Sequence, residues 1–263
     1  MVADPFESLF DAVREGSGVD LREYKQNQLR RRLLSWADDD LIGLGRRLAT
    51  DPKAMRALLE RVAINVSELY RNPERWRELE TRVVPDLAGR ATPLRCWSAG
   101  CSFGAEAHTL ACILEDAGCR YTVMGTDIDE DALASARTGR FDAAAMRSVP
   151  PKVRARYFAP VGQDWQAGSE IRRHLRFKGG NLLDGPFERN FDLIVCRNVV
   201  IYFRDEAKDR LYRRFYESLK PGGVLFLGGT ERISDARSIG YENPLPFFYQ
   251  RPLEGQTAWR NAS

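Results

Sequence analysis

The stretch Leu94-Arg95-Cys96-Trp97-Ser98-Ala99-Gly100-Cys101-Ser102-Phe103-Gly104 decides the fold. A short apolar run ends in glycine, and Ala107, Leu110, Ala111 and Leu114 then recur at helical spacing. Tyr121–Gly125 is a second apolar run, closed by Thr126-Asp127. Strand, glycine loop, helix and strand make a βαβ unit. The same alternation continues: a helix over Glu130–Arg137, strands over Leu175–Lys178, Phe191–Val195 and Val224–Leu227, and a helix over Lys208–Leu219 stopped by Lys220-Pro221-Gly222-Gly223. This pattern predicts an α/β fold with a mostly parallel, doubly wound, Rossmann-like sheet.

Working outward, residues 94–254 form the α/β domain. Residues 150–173 break its rhythm with Gly162 and Gly168 around Trp165, and are expected to be an inserted hairpin subdomain. Residues 85–93, with Gly89 and two prolines, read as a linker, and residues 255–263 as a flexible tail. Residues 1–84 lack strand-like alternation and read as a small all-helical N-terminal domain. Within it Leu29, Leu33 and Trp36 form a core stripe, while Lys25, Gln28 and Arg32 share another face flanked by Arg30 and Arg31. That face has two readings, a solvated polar surface or a docking surface for an acidic helix.

Forty Lys+Arg against 37 Asp+Glu leave a formal charge of +3, too near balance for a protein that coats nucleic acid, so any basic partner site is local. No apolar run approaches the roughly 20 residues of a membrane span. The N-terminus has neither the basic start nor the apolar stretch of a signal peptide, so the expected location is the cytoplasm, without membrane insertion. The five cysteines contain no C-x-x-C pair and read as reduced, buried thiols. With only His108 and His174 in the chain, a multi-histidine metal site is excluded and no metal is expected.

In an open parallel sheet, ligands lie beyond the carboxyl ends of the strands. The first such loop runs from Gly100 to Gly104. Its G-x-x-x-G spacing lets backbone lie against a small ligand without the pyrophosphate cradle of a dinucleotide binder. Asp127 ends the second strand, where a carboxylate can accept both hydroxyls of a ribose. Asn181-Leu182 follows the third strand, and Phe191–Cys196 runs into Arg197 and Asn198. Each of these also has a structural reading, as a turn, a helix cap or an ordinary ion pair. Their joint placement at successive strand ends is what suggests a nucleoside site.

Asn65-Val66-Ser67-Glu68-Leu69-Tyr70-Arg71-Asn72, Trp97–Ser102, Thr126–Asp129, Asn181–Leu183, Cys196-Arg197-Asn198-Val199-Val200-Ile201-Tyr202-Phe203 and Leu219–Gly223 together resemble the CheR family of chemoreceptor glutamate methyltransferases. The resemblance spans nearly the whole chain. It implies a class I methyltransferase-like sheet, S-adenosylmethionine as donor with S-adenosylhomocysteine as product, and glutamates of a chemoreceptor's cytoplasmic helical bundle as acceptors. It also implies that Asn65, Ser67, Arg71, Gly100, Asp127, Asn181, Leu182 and Asn198 bind the donor. Arg197 and Tyr202 are expected to orient the acceptor as catalytic residues, and the basic helix carrying Lys25, Arg30, Arg31 and Arg32 to dock the receptor. A monomer is expected.

One departure stands out. The family pattern after the glycine loop is close to S-T-G-E-E-P-Y, and here Ala105 stands where the donor-contacting glutamate is expected, with Glu106 next on the helix and expected to face elsewhere. Phe103 and His108 are expected to alter the pocket wall. A second reading follows, a regulator of the same fold with weakened or lost turnover. A third, a methyltransferase for RNA or a small molecule, has less support, because Val199-Val200-Ile201 offers aliphatic bulk rather than base-stacking groups.

Overall fold

The computed structural model describes residues 4–38, 40–63, 67–90 and 93–253. Four helices open the chain: α1 (Pro5–Ser17), α2 (Gln26–Ala37), α3 (Leu41–Thr50) and α4 (Pro52–Ala63). Asp4 caps the first through the Phe6 N–H at 3.0 Å, and Gly18 ends it in the left-handed conformation. Their apolar faces meet in one cluster through Phe10, Leu21, Leu29, Leu33, Leu44 and Leu58, continuous with one face of the central sheet at Trp97, Ile194 and Phe215. The helices are therefore packed onto the α/β body rather than tethered to it. α5 (Pro73–Glu78) passes through a π-turn at Leu79–Val83 into α6 (Val84–Arg90), so most of the stretch expected as a linker is helix. Pro85 follows the π-turn directly, where the regular helical hydrogen-bond ladder is already interrupted, and Val84 and Leu87 bury against the opposite face of the sheet.

The α/β body then runs β1 (Leu94–Ala99), α7 (Ala105–Asp116), β2 (Tyr121–Asp127), α8 (Glu130–Thr138), β3 (Arg140–Phe141), α9 (Pro151–Tyr157), β4 (Phe158–Val161), β5 (Asp164–Ala167), α10 (Ser169–Arg172) and β6 (Leu175–Gly179). It closes with β7 (Phe191–Cys196), α11 (Asp205–Ser218), β8 (Leu219–Leu227), α12 (Ala236–Ile239), β9 (Glu242–Leu245) and β10 (Phe248–Gln250). Seven strands form the main sheet in the order β6-β2-β1-β7-β8-β10-β9. β10 is antiparallel to both its neighbours, and the other paired neighbours are parallel. This is the doubly wound, class I methyltransferase-like arrangement expected. The order reverses beside β1, so the loops after β1, β2 and β7 share one crevice.

The insertion is also present. β4 and β5 make the hairpin, and β3 joins it in a small antiparallel sheet of order β3-β5-β4. No helix among the described residues is long and apolar enough to cross a membrane.

Candidate functional site

The glycine loop fits its conformation. Gly100 and Gly104 have φ of +78° and +86°, and a Cβ on Gly100 would lie 2.6 Å from a Val199 methyl. Backbone from the first loop thus approaches the loop after β7 as closely as glycine permits. Ser102, at φ +50°, turns its N–H onto Asp127 Oδ2 at 2.7 Å, and Asp129 N donates to Oδ1 at 3.1 Å. These two bonds fix the Asp127 carboxylate at the end of β2. Burial pushes its pKa up, against the pull of those N–H donors.

Around this point lies a cleft with about 880 Å³ of empty space, part of it open to solvent, a volume in the range of small-ligand sites. Ser67 and Arg71 reach it from the segment before α5. Gly100, Asp127, Leu182, Asn181 and Asn198 reach it from strand ends, and Arg197 and Tyr202 complete the wall. Nine of the ten residues expected at the site therefore meet in one cavity. Asn65 lies outside the described residues.

Three expectations about the wall are corrected. Glu106 lines the cavity, and its Oε1 accepts a hydrogen bond from Ser98 Oγ at 2.7 Å. Ala105 is fully buried and does not line the cavity, and its carbonyl accepts from Thr109 Oγ1 at 2.8 Å. One residue on an α-helix turns by about 100°, and the left-handed Gly104 starts α7 at the phase that points Glu106, not Ala105, at the cleft. Phe103 and His108 are both absent from the cavity wall. Phe103 faces a neighbouring cleft, and His108 is buried behind the loop with Nδ1 2.8 Å from the Gly104 carbonyl oxygen. Burial lowers its pKa to about 4, so it is a neutral structural imidazole near pH 7.

Charge inside the cleft is arranged around Glu106. Burial raises its pKa to about 7, while the Arg197 guanidinium and the Ser98 hydroxyl favour the ionised form. Arg197 lies with its guanidinium 5.0 Å from the ring centres of both Trp76 and Phe226. One of its terminal nitrogens donates to the Arg71 carbonyl at 2.9 Å and to Asn72 Oδ1 at 3.2 Å. Its buried Nε has no hydrogen-bond partner among the described residues. The residue is thus a brace for the segment carrying Arg71 and a countercharge to Glu106.

Asn181 spans two lobes: its Nδ2 donates to the Gly18 carbonyl at 3.1 Å and its Oδ1 accepts from Leu183 N at 2.9 Å. A second bridge is made by Tyr24 and Lys25. Tyr24 pairs with Phe203 as an isolated antiparallel bridge, Lys25 N donates to the Tyr202 carbonyl at 2.9 Å, and Arg204 N to the Glu23 carbonyl at 2.8 Å. Tyr24 itself lines the cavity, its ring edge-on to Phe203, and its phenol pKa is pushed up by burial and then by Asp127. Tyr24, Trp76 and Glu106 are among the lining residues that sequence reasoning did not assign to the site. Only Glu106 left a signal, as the second acid of the E-E pair in the family pattern.

On the basic helix, Lys25, Arg31 and Arg32 are exposed, but Arg30 turns inward. It pairs with Asp4 at 2.9 Å and lies 4.5 Å over the Phe6 ring. Arg31, Arg32 and Arg61, with one acid, Glu60, rim a groove floored by Leu29, Leu33 and Trp36.

The cavity's residues fit an adenosyl sulfonium donor: a carboxylate at the end of β2, amides at two further strand ends, a second carboxylate for a cationic group, and a loop open to close approach. Comparison with known proteins agrees. Residues 65–243 match the model described as CheR methyltransferase, SAM binding domain. The chain is 37% identical over 244 residues to a chemotaxis protein methyltransferase of Listeria monocytogenes, covering 90% of this chain and 93% of the relative. It is 33% identical to chemotaxis protein methyltransferase 1 of Pseudomonas aeruginosa, covering 79% and 77%. With that match laid over the cavity just described, the chain belongs to the CheR methyltransferase family.

Proposed function

We propose that this chain is a protein-glutamate O-methyltransferase that methylates glutamate side chains on the cytoplasmic helices of chemoreceptors, acting as a cytoplasmic monomer. The observation that carries the reading is the single cavity in which Ser67 and Arg71 face Glu106, Asp127 and Asn198. S-adenosylmethionine, when bound there, supplies a methyl group activated on a sulfonium centre. Asp127 and Asn198 hold the nucleoside portion, Leu182 packs beside it, and Glu106 answers its positive charge. A glutamate carboxylate has an ordinary pKa near 4.3, so the acceptor is already ionised and needs no general base. What the chain contributes is alignment and exclusion of water.

Arg197 and Tyr202, at the cavity wall, orient the acceptor, and Arg197 also holds the Arg71 segment in place through its hydrogen bond to the Arg71 carbonyl. The groove beside α2 supports receptor docking, because its apolar floor and arginine rim complement an acidic amphipathic helix. The regulator reading rested on the missing acid at position 105 and on His108. Glu106 in the cleft and His108 outside its wall leave the enzyme reading better supported.

The test is transfer of radiolabelled methyl from S-adenosylmethionine to receptor cytoplasmic fragments. Base-labile label on glutamate supports the reading. Tight S-adenosylhomocysteine binding without any labelling of receptor fragments rejects it.

A further inference from the structure

Glu231, in the turn after β8, is 3% exposed, and its carboxylate takes four backbone N–H donors. Oε2 accepts from Asn198 N at 2.8 Å and Gly228 N at 2.7 Å; Oε1 accepts from Val199 N at 3.0 Å and Val200 N at 3.1 Å. Three of the donors are consecutive residues of the loop that follows β7, and the fourth follows β8. These two strands are parallel neighbours, paired up to Cys196 and Leu227. One side chain therefore ties together the carboxyl ends of two adjacent strands where they border the cavity.

The tie acts on residues that need it. Asn198 has φ +62°, a conformation few side-chain-bearing residues adopt, and it lines the cavity. Val199 lines it too, with the methyl that sets how near the Gly100 backbone can come. Gly228 makes room for the carboxylate, since a Cβ there would lie 2.4 Å from Glu231 Oε2. A carboxylate is acceptor-only and offers two oxygens with two lone pairs each, so it satisfies four N–H groups. A glutamine has one acceptor oxygen, and its NH2 group would confront two of those donors. Aspartate keeps the charge but is one methylene shorter.

We propose that Glu231 is a positioning residue for donor binding, holding Asn198 and Val199 in the conformation that shapes the cavity. The proposal rests on the reading of this cavity as the donor site. Glu231 also places negative charge near Arg197 and Glu106, so its removal alters the field as well as the geometry.

The experiment compares full-length wild type, Glu231→Gln, Glu231→Asp, Asn198→Gly and the Asn198→Gly/Glu231→Gln double variant. S-adenosylhomocysteine affinity is measured by calorimetry, donor and receptor-fragment KM by methyl transfer, and folding by thermal melting. The expected result for Glu231→Gln is a donor affinity at least tenfold weaker with a matching rise in donor KM. Receptor-fragment KM and kcat at saturating donor should stay within threefold. In the Asn198→Gly background the same change should weaken affinity by less than the two single effects combined, because part of its effect runs through the Asn198 side chain and the rest through Val199. Donor affinity of Glu231→Gln within twofold of wild type overturns the proposal. If Glu231→Gln does not fold, Glu231→Asp decides: a threefold or greater loss of affinity supports the role, and an unchanged affinity rejects it. Failure of the wild-type chain to bind S-adenosylhomocysteine rejects the donor-site reading itself, a result distinct from either.

Discussion

Ser98 Oγ donates to Glu106 Oε1 at 2.7 Å, joining the end of β1 to the first turn of α7 across the floor of the cleft. Both ends of the bond are held. Ser98 is fully buried in a strand paired on both sides, and α7 is started by a left-handed glycine. The acid that answers the donor's charge is thus fixed by the sheet, and the alanine before it belongs to the core.

This relationship makes opposite demands of two neighbouring positions. Glu106→Gln keeps the shape but removes the charge, and should weaken binding of S-adenosylhomocysteine, which keeps the donor's ammonium group, about ten- to a hundredfold, the range of a charge-assisted hydrogen bond. Ala105→Glu should not tighten the donor. It drives a carboxylate into a fully buried site and should destabilise the fold by about 3 kcal/mol or more. Calorimetry and denaturant unfolding check both. Tighter binding by Ala105→Glu would reverse the assignment of the two positions.

Glu106 also predicts a pH dependence. Its pKa rises from 4.5 in the unfolded chain to about 7 in the fold, so between these values the folded state holds a proton the unfolded state has released. Its contribution therefore lowers stability as pH rises through that window, by at most about 3 kcal/mol. Asp127, also pushed up by burial, adds with the same sign. A cationic donor favours the ionised acid, so donor binding should be weaker at pH 6 than at pH 8 and should release a proton near neutrality. Calorimetry in buffers of different ionisation heat reads that proton directly. Glu106→Gln should abolish the release, and a release that survives the substitution assigns the proton to another group.

Tyr24 supplies a prediction from outside the α/β domain. Its phenol sits in the cavity within reach of Asp127's charge, and its backbone is bridged to Phe203. Tyr24→Phe keeps the ring packing and removes one hydroxyl. It should raise donor KM about two- to tenfold, the effect of one neutral hydrogen bond, with little change in melting temperature. An unchanged KM would make Tyr24 a packing residue only.

Local sequence order accounts for what was legible. β1, the glycine loop, α7 and β2 are contiguous, and their periodicities are set by burial that each segment meets wherever it packs. Strand-end residues Asp127, Asn181 and Asn198 were readable for the same reason, because a parallel sheet sends its carboxyl ends to one crevice. Helical phase was not readable at the single-residue level. Ala105 and Glu106 differ by one step, and only the left-handed Gly104 together with the Ser98 bond decides which faces the ligand. Long-range bridges were equally hidden. Nothing local to Tyr24 indicates that residues 23–25 pair with 202–204, and Arg30 looks like its neighbours until Asp4 and Phe6 claim it.

That last contrast separates docking charge from structural charge on one helix. Arg31 is exposed, whereas Arg30 is half-buried in an ion pair with Asp4 and stacked on Phe6. Arg31→Glu should slow receptor methylation about tenfold at roughly 20 mM salt and less than about twofold near 0.5 M, where the screening length falls to a few ångströms. Its melting temperature and its affinity for S-adenosylhomocysteine should match wild type, since it touches neither the core nor the cavity. Arg30→Glu reverses an ion pair instead, and should lower stability by about 1 kcal/mol with a smaller dependence of its activity on salt. Methylation rates at two ionic strengths, set beside melting curves for both variants, separate the two roles. Equal salt dependence in the two variants would mean that the field of the whole helix, rather than its outward face, guides the receptor.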